Sequence, residues 1–232
     1  MALKEILEFV PPAQRQAAED FILRFGQVYK NMMLSRYNAL NGLAKAQQVV
    51  LLGDSITEEF PAHEMLPDIV LYNRGISGND TYDVLNRLEQ HIYPLQPGKL
   101  FLLIGVNDLA KYPNDTPQMV SLRIEEILDK LAANLPKCKL HLISVYPVNK
   151  SGDAKIDQLM LSLSDNQRVV ELNRYLRQLA QRKNLPYLDI HPQLLNAEGE
   201  LDLVYTREGL HLTVEGYQVV VQALRPYLSS VE

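Results

Sequence analysis

From Val49 onward, short aliphatic runs alternate with longer amphipathic segments, and no other feature limits the fold as strongly. That alternation is expected of parallel strands joined by crossover helices, because each helix must return the chain to the same edge of the sheet. Five runs read as strands: Val49 to Leu52, Ile69 to Tyr72, Leu100 to Ile104, Leu140 to Val145 and Tyr187 to Ile190. Each is continuously apolar, which suits a sheet covered on both faces. Between and after them, Thr81 to Ile92, Pro117 to Asn134, Asp165 to Lys183 and Val214 to Leu228 repeat apolar residues near every 3.6 positions and read as helices packed on that sheet.

Residues 1–45 hold no strand pattern and read as an N-terminal helical extension of the same domain, with 46–232 as its main body. The helix is expected to start after Pro11-Pro12 and to carry a stripe of Phe21, Ile22, Phe25, Val28 and Met32. Core packing is the favoured use of that stripe, and a homodimer interface is the other. The segment Tyr146 to Ser164, with Leu159, Met160, Leu161 and Leu163, reads either as a mobile lid or as a short helix packed on the core.

Composition narrows the function. With 232 residues the chain allows one large α/β domain and a substantial core. The 23 Lys+Arg against 28 Asp+Glu leave a formal charge of −5 and no basic surface for phosphates, which argues against nucleic-acid binding. No stretch approaches the roughly 18 apolar residues of a membrane span, so no integral membrane association is expected. Lys4, Glu5 and Glu8 interrupt the place of a signal-peptide core. A lone Cys138 excludes an internal disulfide and a multi-cysteine metal site, and is expected to act as a small apolar residue beside a strand. Together these features point to a cytoplasmic protein.

Four polar blocks stand where strands end or the last helix begins. Gly53-Asp54-Ser55-Ile56-Thr57 follows the first strand and puts a serine at a helix start, among unpaired backbone N–H groups. Its hydroxyl is a candidate nucleophile, although Ser55-x-x-Glu58 also fits an ordinary capping box. It is not the G-x-S-x-G elbow of α/β-hydrolases, since position 57 is Thr. Asn73-Arg74-Gly75-Ile76-Ser77-Gly78 brings paired glycines to the second strand end, where Gly78 N–H could face a ligand or merely make a turn. Gly105-Val106-Asn107-Asp108 offers an amide to the same edge, with a local turn as its alternative role. Glu208-Gly209-Leu210-His211 places an acid three residues before a histidine, as a Ser-His-acid triad requires.

In order and spacing, these blocks resemble those of the GDSL or SGNH hydrolases, over about Val49 to Leu228, and the Asn73 to Thr81 segment with Val84 to Leu88 is similar to the platelet-activating-factor acetylhydrolase-like branch. The resemblance implies a flavodoxin-like three-layer α/β/α sandwich with a five-stranded parallel sheet. It implies an esterase that acts on a small-molecule carboxylic ester through an acyl-enzyme, with no metal and no organic cofactor. Ser55 would be the nucleophile, His211 the base, Glu208 the acid, and Ser55 N–H, Gly78 and Asn107 the oxyanion donors. Glu208 stands where the family pattern has Asp, which leaves Asp202 or a backbone carbonyl as other partners for the histidine.

Asp54 and Asp108 read as loop-shaping groups rather than a carboxylate pair. His63, His91 and His141 lack metal-ligand spacing, and His191 alone follows a strand toward the same edge. Acyl and alcohol specificity would reside in Ala110 to Asp115 and Tyr146 to Ser164, with a small acyl group such as acetyl expected. The rival functions are a catalytically idle protein-interaction module of the same fold, and a flavodoxin-like ligand-binding protein, whose G-x-G-x-x-G and G-x-x-x-x-G-K-[ST] fingerprints do not occur.

Overall fold

The computed structural model describes residues 10–228, so Lys4, Glu5 and Glu8 lie outside the described residues. Five strands form one parallel sheet in the order β2-β1-β3-β4-β5: β1 Val49–Gly53, β2 Leu71–Gly75, β3 Lys99–Leu103, β4 Lys139–Ile143 and β5 Tyr187–Leu188. This is the flavodoxin-like order, and the reversal at β1 opens a crevice beyond the carboxyl ends of β1, β2 and β3. Every residue of β1 and β3 is buried, which explains the apolar runs Val49 to Leu52 and Leu100 to Leu103.

The helices are α1 Arg15–Asn41, α2 Ser55–Glu58, α3 Ala62–Met65, α4 Thr81–Arg87, α5 Val106–Lys111, α6 Pro117–Asn134, α7 Asn166–Lys183 and α8 Val214–Leu228. Caps set several starts: Thr116 accepts from Met119 N–H, Asp165 from Gln167 N–H, and Asp80 forms a reciprocal capping box with Asp83. The expected helix Thr81 to Ile92 is α-helical only to Arg87 and continues as a π-turn, Leu88–Ile92.

Three expectations need correction. The second strand is shifted toward its polar end, and Val70, expected inside it, is exposed. Asn73 and Arg74 are accommodated because Asn73 Nδ2 donates to Thr57 O at 2.5 Å, while Arg74 donates to Asn41 Oδ1 and lies over the rings of Tyr37 and Tyr72.

The second correction concerns α1, whose apolar stripe faces solvent: Phe21 is 68% exposed, Phe25 65%, Val28 65% and Met32 56%. The helix docks instead through Met33 and Tyr37, which pack with Ile76, with Tyr29 and Leu34 alongside. Tyr37 Oη donates to Gly75 O at 2.5 Å and Lys30 Nζ to Asp83 Oδ2 at 2.5 Å. Third, Tyr146 to Ser164 forms turns and no helix, although Val148, Ile156 and Leu161 are buried.

Candidate active site

The serine turn is fixed from below before any chemistry is considered. A Cβ on Gly53 would meet Leu103 O at 2.4 Å, and one on Gly75 would meet Glu58 N at 2.2 Å, so both strand ends approach their neighbours as only glycine can. Asp54, fully buried, accepts the Ile56 N–H at 3.0 Å and is the true cap of α2, with Ser55 its first helical residue. The capping box expected for Ser55 and Glu58 therefore does not form. Burial pushes the Asp54 carboxyl up to about 7 against the pull of that N–H. From the other side Tyr217 Oη donates to Ile56 O at 2.7 Å, and its ring stacks on Phe60.

His211 Nε2 lies 2.8 Å from Ser55 Oγ, and its Nδ1 is hydrogen-bonded to Glu208 Oε1, which also accepts the His211 backbone N–H at 2.9 Å. Burial alone would lower the imidazole, yet the Glu208 hydrogen bond and charge hold it above its ordinary 6.5. Burial likewise works to raise the Glu208 carboxyl, but the His211 N–H groups and Arg207 keep it below its usual range. Asp202, the other candidate acid, caps Val204 N–H instead.

The histidine loop is held by a segment whose role sequence reading missed. Asn149 N–H donates to Gly209 O at 2.8 Å and Asp157 N–H to Glu208 O at 2.9 Å. Gly209 has φ +109°, and a Cβ there would meet Asn149 O at 2.6 Å. The Tyr146 to Ser164 turns therefore buttress the loop that carries Glu208 and His211. Only the apolar cluster Leu159 to Leu163 hinted at this, and nothing in it named the contact.

Gly78 has φ +71°, and nothing lies within 4 Å of where a Cβ would sit. Asn107 donates through Nδ2 to Asn79 O at 2.9 Å, rather than to its own backbone, and so ties the β2 and β3 loops together. Lys111 Nζ donates to Gly78 O at 2.5 Å and to Asp80 Oδ2 at 2.9 Å. Asp108 is buried and accepts Thr81 N–H, Thr81 Oγ1 and Arg123, as a loop-shaping group should.

The other histidines stand apart. His191 is buried on Ser144, which accepts its backbone N–H; His91 is buried; His141 stacks on Phe101; His63 is exposed. Cys138 packs against the core immediately before β4 and burial pushes its thiol up to about 12. Among the described residues no group of three or more His, Cys, Asp or Glu could hold a metal ion, and no helix is long and apolar enough to cross a membrane.

Comparison with known proteins fits this arrangement. The profile of the GDSL-like Lipase/Acylhydrolase family matches residues 51–219. Platelet-activating factor acetylhydrolase IB subunit alpha1 of Pongo abelii is 25% identical over 189 residues, covering 79% of this chain and 76% of that protein. An Escherichia coli N-acylneuraminate cytidylyltransferase is 25% identical over 197 residues, 83% of this chain, which spans only 43% of that relative's length. Among solved structures, one from Streptococcus pneumonia, provisionally described as a platelet activating factor, superposes with a TM-score of 0.83 at 27% identity over 92% of this chain and 99% of that one.

Proposed function

The chain belongs to the GDSL-like lipase/acylhydrolase family and is an ester hydrolase, and from that premise we propose that it works as a serine esterase, removing a small acyl group such as acetyl through an acyl-enzyme on Ser55. The observation that carries the reading is the hydrogen-bonded line from Ser55 Oγ through His211 to Glu208.

In the first half-reaction Ser55 Oγ attacks the ester carbonyl while His211 Nε2 takes its proton. The imidazolium that forms is stabilised by Glu208, which also fixes Nδ1 as the protonated nitrogen. Negative charge moves onto the carbonyl oxygen, where the Ser55 and Gly78 N–H groups and the Asn107 amide donate to it. His211 returns the proton to the departing alcohol. Water then repeats the sequence against the acyl-serine and releases the acid.

The acetyl assignment rests on relatives named for acetyl hydrolysis, such as the Pongo abelii acetylhydrolase subunit. The deciding experiment is hydrolysis of p-nitrophenyl esters from acetate to long acyl chains, by wild type and by Ser55→Ala purified identically. Turnover that is fastest with acetate and vanishes in the variant supports the proposal. Turnover that survives in Ser55→Ala overturns the nucleophile, and a preference for long chains overturns the acyl assignment.

A further inference from the structure

Glu58 lies three residues after Ser55 at the far end of the same short helix, and its carboxylate is occupied away from the reacting atoms. One oxygen accepts the hydroxyl of Tyr29 from α1. The other accepts Ser77 N–H at 2.5 Å and Ser77 Oγ at 2.8 Å. Ser77 directly precedes Gly78, whose N–H is one of the proposed oxyanion donors.

The direction of that N–H is set by the peptide plane between Ser77 and Gly78. The amide before this plane is held by Glu58, and the carbonyl after it by Lys111 Nζ at 2.5 Å. The Asn79 N–H donates to Ile76 O at 3.0 Å and closes a turn around this peptide, while nothing lies within 4 Å of where a Gly78 side chain would begin. Within that turn, the two side-chain anchors flank the plane that carries the N–H. Oxyanion donors act through geometry fixed in advance, so a loosened anchor lowers transition-state stabilisation while leaving ground-state binding nearly intact.

We propose that Glu58, oriented by Tyr29, is a positioning residue for the Gly78 oxyanion donor, which makes α1 part of the active-site scaffold although it precedes the family match at residues 51–219. This inference rests on the esterase reading above. A hydroxyl donating to a carboxylate is a charge-assisted bond, and it holds the Glu58 head against solvent. Burial, reinforced by Glu58, pushes the Tyr29 phenol up to about 12, so it remains a donor through neutral pH.

The test compares Tyr29→Phe, Glu58→Gln and the double variant with wild type, using p-nitrophenyl acetate kinetics and hydrogen exchange of residues 76–80. Loss of a whole donor lowers kcat about 10²–10³-fold, so a loosened one should lower it about 5–50-fold with KM within about twofold. The double variant should lose no more than Glu58→Gln alone, because both act through one contact. Both variants should exchange faster at 76–80. Lys30→Ala removes a different α1 contact, the one to Asp83, and should leave kcat within about twofold of wild type.

Folded Tyr29→Phe and Glu58→Gln proteins with wild-type kcat would overturn the proposal, as would an equal loss in Lys30→Ala, which would assign the effect to helix docking. A wild type without Ser55-dependent turnover would sink the esterase reading itself. In that event unchanged exchange at 76–80 overturns the anchor, and faster exchange sustains it.

Discussion

A single carboxylate oxygen of Glu208 receives both the backbone N–H and the ring Nδ1 of His211. Glu208 thus grips His211 at two points within one turn of chain. Replacement by Gln leaves an amide that can donate to Nδ1 and favour the wrong tautomer. Glu208→Gln should therefore lower kcat about 10²–10⁴-fold with little change in thermal stability. Steady-state kinetics alongside a melting curve separates the two, and a kcat within tenfold of wild type would shift the orienting role to another group.

The raised basicity of His211 fixes the sign of the pH dependence. On the esterase reading His211 must be neutral to accept the Ser55 proton, so activity climbs as pH rises through its titration. The acidic limb of kcat/KM should fall above pH 6.5 in wild type. It should move down in Glu208→Gln, where the hydrogen bond to a charged carboxylate is gone. A wild-type limb below 6.5 would contradict this assignment.

Asn107→Ala removes an amide that also links the β2 and β3 loops. The turnover number should fall about 10²–10³-fold while KM changes little, since the interaction strengthens only as the carbonyl gains charge. Kinetics with p-nitrophenyl acetate checks it, and an unchanged kcat would remove Asn107 from the oxyanion hole.

Asp54 predicts a slope in stability with pH. Its folded carboxyl titrates near 7 and its unfolded one near 3.8, so the folded state binds the extra proton and loses stability as pH rises between them. Between pH 5 and 8 the loss due to this group is on the order of 2–3 kcal/mol. Asp54→Asn keeps an acceptor for Ile56 N–H and cannot ionise. Urea unfolding should show a flatter pH profile in the variant, and parallel profiles would mean that Asp54 stays charged.

The parts of this protein that were legible in its sequence are those governed by local periodicity. Pro117–Asn134 falls at its expected ends and the last helix begins at Val214 as expected, because apolar spacing, and for the former a Pro at the helix start, act within one segment. β2 slipped because Asn73 and Arg74 look unfit for a strand until partners from α1 and α2 are supplied. The α1 stripe was misjudged for the converse reason. Hydropathy favours Phe21 and Phe25, whereas docking uses Tyr29, Met33 and Tyr37 at four-residue intervals, and the two tyrosine hydroxyls find long-range partners. Ser55, Glu208 and His211 could be named from spacing, but Glu58 could not, because its contacts lie 19 and 29 residues away.

Ser55 and His211 meet across a sequence separation of 156 residues. Ser55 leaves the first strand of the sheet and His211 enters just before the last helix, so no partial chain ending before that loop can assemble the pair. Closing so long a stretch of chain costs loop entropy, which must be met before the contact rewards it. On the esterase reading, a nascent or truncated polypeptide stays inert toward esters until its folding is complete. A stoichiometric serine-directed phosphonate then becomes a molecular census, counting the finished molecules in a preparation and passing over the rest.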